Sequence, residues 1–358
     1  MGIDRRKLLK GLAATSLLPS SVAAANLNTS RYLGSFNRKG ENYATLIDAY
    51  GEPVLAEALP DRAHGAAVDP IGGKAVIFAR RPETFGLVVD TRQNQVLQMF
   101  NGPLNRHFYG HGFFSPDGQF LYATENDFEG DRGVLGIYDA RNKFNRIAEL
   151  DCFGIGCHEA VLLSDGITIA VANGGISTHP DYPRQKLNLS SMRSSIAYIH
   201  RISGKKISQV FLPRELQKLS IRHLAEGPNG KIFWGGQFQG EKDIRVDILG
   251  FHKLREPINL ISLPTSLLAE LKQYTGSLAI SADNRQLAVT CPRAGKMLVL
   301  DTGSHDVKHI AKHLDVCGVA QNGKNFIVSS GEGALYSSLG HRISQLNGAW
   351  DNHLTFIP

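Results

Sequence analysis

After its first 25 residues the chain has no apolar run long enough to span a bilayer, and no long stretch with helical spacing of its apolar residues. These absences argue against a membrane span and against a helical bundle. Motifs of common cofactor chemistry are also missing. There is no C-x-x-C-H, so covalent haem is excluded. No P-loop and no Rossmann fingerprint in a strand–helix context occurs, so no nucleotide cofactor is expected. H-E-x-x-H and the G-x-S-x-G elbow are absent too. No basic run with interleaved aromatics appears, so nucleic acid is not an expected partner. Cysteine is scarce. Cys152, Cys157, Cys291 and Cys317 are the four present, and their spacing alone leaves the pairing open.

What is present begins with Asp4-Arg5-Arg6-Lys7-Leu8-Leu9-Lys10, then a modest apolar run from Leu12 to Leu18, then Ala23-Ala24-Ala25. This order of basic, apolar and small residues reads as an export signal over 1–25, and the arginine pair is of the twin-arginine (Tat) type. It predicts a periplasmic protein that crosses the membrane already folded, a route often used by cofactor-bearing cargo. Four basic residues and one acidic residue leave with the signal, so the net charge falls from +6 to +3. A mature domain over 26–358, acting as a monomer, is expected.

The whole sequence is 42% apolar and rich in glycine, which favours many short strands joined by turns. One phrase recurs. H-G-A-A-V-D-P at His64 leads to Gly72-Gly73, and H-G-F-F-S-P at His111 leads to Asp117-Gly118. His158 leads to Asp165-Gly166, His223 to Asn229-Gly230, Ser277 to Asp283-Asn284 and Cys317 to Asn322-Gly323, and His353 opens a last run that ends the chain. Each Asp-Gly or Asn-Gly is expected to supply the positive backbone angles of a two-residue hairpin turn. The starts lie 47, 47, 65, 54, 40 and 36 residues apart, the period of a four-stranded propeller blade. Seven starts with one lone C-terminal strand predict an all-β, seven-bladed β-propeller. Its last blade takes three strands from the N-terminus, near Arg31, Tyr43 and Pro53, so that no inner edge is left unpaired.

The phrase H-G-F-F-S-P-D-G-Q-F-L-Y-A-T-E-N at 111–126 resembles the repeat of the YVTN family of propellers, a WD-type architecture, and the resemblance runs through all seven phrases. Three segments are similar to a bacterial Tat-exported propeller family of unknown function: G-G-I-S-T-H-P-D at 174–181, L-S-I-R-H-L-A at 219–225 and D-V-C-G-V-A at 315–320. Members of that family are often encoded beside imelysin-type iron proteins and c-type haem proteins. This resemblance implies a periplasmic iron-uptake or redox partner.

In such a ring the inner strand of each blade starts at one face, here called the top. That geometry would gather His64, His111, His158, His223 and His353, with Ser277 and Cys317 completing the circle. Second-strand ends would bring Arg80, Glu125, Asn126, Asn173, Gln237, Cys291 and Glu332 to the same face. The insertion at 174–194 adds His179, Asp181, Tyr182 and Arg184. Clustered imidazoles predict a transition-metal site for iron, copper or zinc, with His64, His111, His158 and His353 of neighbouring blades expected to converge on it. The competing possibility is that each ring orients a strand by bonding backbone in the next blade. An anionic ligand aided by Arg80 and Arg184, a propeller lactonase or other hydrolase, and a non-catalytic interaction scaffold are the alternative functional readings. Glu125 and Glu332 are weighed as bases, and Cys317 as a thiolate ligand.

Overall fold

The computed structural model describes residues 30–182, 185–241 and 243–358. The signal expected at 1–25, and Arg184, lie outside the described residues. Seven four-stranded antiparallel sheets form the ring. Blade 1 runs outward through Ala63–Val68, Lys74–Ala79, Phe85–Asp90 and Gln95–Asn101. Blade 2 holds Arg106–Phe114, Phe120–Asp127, Arg132–Asp139 and Asn145–Asp151. Blade 3 holds Cys157–Leu162, Thr168–Asn173, Ser195–His200 and Lys206–Phe211. The inner strands of blades 4, 5 and 6 are Leu219–Glu226, Ser277–Ile280 and Val316–Asn322. In blade 7 the inner strand is Ala349–Ile357, followed outward by Arg31–Arg38, Glu41–Ile47 and Pro53–Leu59. The expected closure by both ends of the chain is therefore present.

Blade faces stack on one another, so the middle strands are buried on both sides. Thr168–Asn173 is buried at every residue, whereas the outer Gln95–Asn101 alternates with solvent. This explains why the second strands read as continuous apolar runs and the fourth as alternating ones. Phe78, Trp234 and Tyr198 are wholly buried between sheets, and burying a side chain such as Phe78 contributes about 1.5–3 kcal/mol. Among the described residues helix is confined to short segments, Arg214–Leu216, Pro228–Gly230, Thr265–Glu270 and Pro292–Ala294. Among the described residues no helix is long and apolar enough to cross a membrane.

The hairpin turns differ from the expected form. At 115–118 only Gly118 takes a positive φ (63°), and Asp117 does not. Pro116 fixes its own φ in the negative range, and the Asp117 carboxylate accepts bonds from Ser115 Oγ (2.5 Å) and Gln119 N (3.1 Å). The result is a four-residue loop ending in a left-handed glycine. Asn229-Gly230 is a pair in which both residues have positive φ.

All four cysteines are free and buried. Burial pushes the thiols of Cys291 and Cys317 up to about 12, so neither is a thiolate near neutral pH.

Circular closure predicts the outcome of deleting residues 349–358. That deletion strips blade 7 of its inner strand and leaves Arg31–Arg38 with an open edge. Circular dichroism should then show loss of the cooperative thermal transition; a truncated chain that melts like the full one would contradict a closed ring.

Candidate metal centre

The inner strands are not regular where the histidines sit. In blade 1 the register shifts between Ala63 and Ala66, around His64. It shifts between Phe108 and Gly112 around His111, and between Cys157 and Glu159 around His158. Blade 4 shifts between Ile221 and His223, and blade 7 between Trp350 and Leu354, around His353. A β-bulge twists the strand and re-aims its side chains. In each of these five blades it turns an imidazole toward the axis. Blade 5 keeps a straight inner strand and contributes Ser277.

The five rings form one cluster. Ring centroids are 4.3 Å apart for His64 and His353, 4.6 Å for His111 and His353, and 4.9 Å for His223 with both His158 and His353. His64, His111, His223 and His353 are each less than a tenth exposed, and His158 is slightly more open. Two sets could hold an ion: His64, His111 and His158, or His111, His223 and His353. In each set the ligand atoms lie within 4.8 Å of one another. Small side-chain rotations close that gap to the roughly 3.4 Å kept by ligands about 2.1 Å from a tetrahedral ion.

Two carboxylates orient the rings, and neither was expected from sequence. His223 Nδ1 donates to Glu159 Oε2 at 3.2 Å, and Leu224 N donates to the same oxygen at 3.0 Å. The other oxygen, Glu159 Oε1, is 3.5 Å from His111 Nδ1. Asp351 Oδ1 accepts from His64 Nδ1 at 3.2 Å, while Asp351 Oδ2 is held by Arg62. Ser277 Oγ is 3.3 Å from His353 Nδ1. With their Nδ1 atoms so placed, Nε2 of His111 and of His353 is buried without a hydrogen-bond partner. A histidine whose Nδ1 is tied to a carboxylate, with Nε2 free, has the arrangement of a metal ligand. A cavity of about 90 Å³ lies between His111, His223, His353, Glu159 and Ser277, which is room for an ion and a water-sized co-ligand. The Ser277–His353 pair is the one hydroxyl–imidazole contact in the cluster. No carboxylate holds the other ring nitrogen of His353, as a nucleophile-activating base requires.

Burial holds His64, His158 and His353 well below the usual imidazole value, and neighbouring rings or arginines add to the effect. His111 falls to about 4 for the same reason, against the opposing pull of Glu159. Glu159 itself titrates below the usual carboxylate value, because bonds to His111 and His223 outweigh its desolvation. Near neutral pH these imidazoles are therefore neutral, the form that binds metals.

The other candidates are distributed differently. Glu125 is not an open top-face carboxylate. It is wholly buried inside blade 2, bonded by Tyr138 Oη (2.5 Å) and Arg146 (2.9 Å). Asn173 bonds the carbonyl of Cys152, and Asn126 bonds that of Thr178, so both anchor loops. Gln237 bonds the Thr275 carbonyl and Glu332 is exposed. Cys317 occupies the ring register: Thr290 bonds its carbonyl as Thr124 bonds that of His158. Its thiol, however, turns away from the axis to the carbonyls of Asp351 and Ser329. Arg80 and His179 both line the wall of a larger cavity.

A family model described as "Protein of unknown function (DUF1513)" matches residues 57–357. No curated protein matches the chain. Among solved structures it is similar to Kuenenia stuttgartiensis hydrazine synthase, with a TM-score of 0.63 and 14% identity over 88% of this chain and 96% of that one. At that identity the likeness is one of fold alone.

The neutral imidazoles set a pH dependence. The unfolded chain takes up protons below about 6.5, whereas the folded cluster resists them, down to about 4 for His111. Stability without metal should therefore fall as pH drops from 7 to 5, by up to about 1.4 kcal/mol per pH unit for each such histidine below 6.5. Glu159 adds little there, since its contribution is lost only below the usual carboxylate range. Thermal melts in a chelator should show the slope, reduced in His353→Gln; a flat profile would contradict the buried neutral cluster.

Proposed function

The chain belongs to the DUF1513 family, and on that premise we propose that it is an exported, periplasmic propeller that holds a transition metal ion, iron or copper, on its axis. One observation carries the reading: in a cluster of five imidazoles, the Nδ1 atoms of His64, His111, His223 and His353 have Glu159, Asp351 or Ser277 beside them, and the Nε2 atoms of His111 and His353 are buried and unpartnered. Unpaired polar atoms in a core are costly, and an ion between them would offset the loss. A donor set of neutral imidazoles without thiolate suits iron, copper and zinc. The favoured set is His111, His223 and His353, because each of its Nδ1 atoms has an orienting neighbour.

In this reading Glu159 fixes two rings and lends negative charge beside the ion. Ser277 fixes a third, and the bulged strands keep bulk water out. The sequence features at 1–25 support export in the folded state. The insertion at 174–194 is the element offered to an iron-uptake or redox partner, since loops on a rigid scaffold commonly carry recognition.

Protein recovered from the periplasmic fraction of its native host should carry about one iron or copper per chain by elemental analysis. His111→Ala should abolish this, and Glu159→Gln should weaken affinity about 10–100-fold. Absence from the periplasm would overturn the export reading. Metal-free protein that also fails to bind Fe(II), Cu(II) or Zn(II) would overturn the metal reading.

A further inference from the structure

Beside the histidine cluster, on the top face, lies a second cavity of about 410 Å³. Arg62, Arg80 and Arg81 of blade 1, His107 of blade 2 and His179 of the insertion line it. Arg62 bridges the two sites, since it holds the same Asp351 that orients His64. Arg222 of blade 4 stands close enough for its charge to act on both Arg80 and His158. Two acids, Asp61 and Glu83, also line the wall, Asp351 offsets Arg62, and Glu129 and Asp181 stand beside His179, so it is the gathering of guanidiniums, not a net charge, that marks the place.

Several donors in this place lack acceptors. His107 is 2% exposed, and neither of its ring nitrogens has a hydrogen-bond partner. Arg222 Nε is buried and likewise unpaired. Like charges crowd one another: burial and the neighbouring arginines lower Arg80 and bring Arg222 down to about 10. Evolution of a purely structural wall would not gather guanidiniums that repel each other around an imidazole without partners. A bound anion supplies what is missing, because it brings acceptors and opposite charge together.

We propose that this cavity binds a small polycarboxylate anion, by which a metal ion reaches the axial histidines as an anionic chelate rather than as a bare cation. The lining donors arrive from two blades and an insertion, so a ligand with several separated carboxylates can meet more of them than one compact oxyanion can. Planar guanidiniums pair with carboxylates through two parallel bonds. A bare divalent cation, in contrast, meets the guanidiniums of Arg80 and Arg81 at this entrance. The anion site stands on its own observations; the delivery role rests on the metal reading above.

Calorimetry with citrate as probe tests it on the full folded chain. Citrate should bind with Kd below about 1 mM. Arg80→Gln and Arg81→Gln should each weaken it about tenfold or more, while Zn(II) binding to both variants persists. His111→Ala should lose Zn(II) yet keep citrate affinity within about twofold, so the two readings fail separately. Arg80→Gln removes a desolvated charge from among like charges, which favours folding. As a check without mutation, wild-type affinity for citrate should drop by about tenfold between about 50 and 500 mM salt. No citrate binding, arginine variants that bind as well as wild type, salt-independent binding, or inorganic phosphate bound as tightly as citrate would each overturn the proposal.

Discussion

The pairing of Arg31–Arg38 with Ala349–Ile357 is the interaction on which the axial site depends. It joins the two ends of the chain in one sheet and places blade 7 against blades 6 and 1. Without it the seven inner strands would not surround a common axis, and residues almost 290 positions apart, such as His64 and His353, would have no reason to meet. Their rings are 4.3 Å apart. Closure thus does more than remove an edge. It brings side chains that are remote in sequence within ligand distance, and it does so with backbone whose own hydrogen bonds are already satisfied.

Two further constraints shape what closure gathers. Imidazoles packed in a dry space cannot all be charged, so burial keeps His64, His111, His158 and His353 neutral near pH 7. Neutral rings must then share a small supply of partners. Glu159 serves two of them and Asp351 a third, each carboxylate also bonding outside the cluster, to Leu224 N and to Arg62. With Glu159 beside Nδ1 of His111 and Ser277 beside Nδ1 of His353, the Nε2 atoms of these two rings are left without partners. Arg62 stands at both places, since it lines the arginine-rich cavity and holds Asp351.

The architecture was legible because hairpin signals and apolar runs recur at blade spacing, and because strand-to-blade arithmetic left only one way to complete the seventh sheet. The five histidines were legible for the same reason, since each opens the recurring phrase. Glu159 was not. In a regular strand neighbours point to opposite faces, so a residue beside His158 reads as facing away from the axis. The bulge at 157–159 breaks that alternation and lets both serve the site. Asp351 is two residues before His353 and is brought in by the bulge in blade 7. Glu125 was misplaced because its partner Arg146, on the outer strand of the same blade, is 21 residues away and has no local signature. The Cys317 register was correct, but side-chain direction at a bulge cannot be read from spacing.

The most direct measurement of the central claim is anomalous diffraction from crystals loaded with a first-row metal. A peak on the propeller axis within about 2.2 Å of Nε2 of His111 and His353 and of a ring nitrogen of His223 is the predicted result. Fully loaded crystals whose metal lies elsewhere, with the five imidazoles bonded only to backbone, would contradict it.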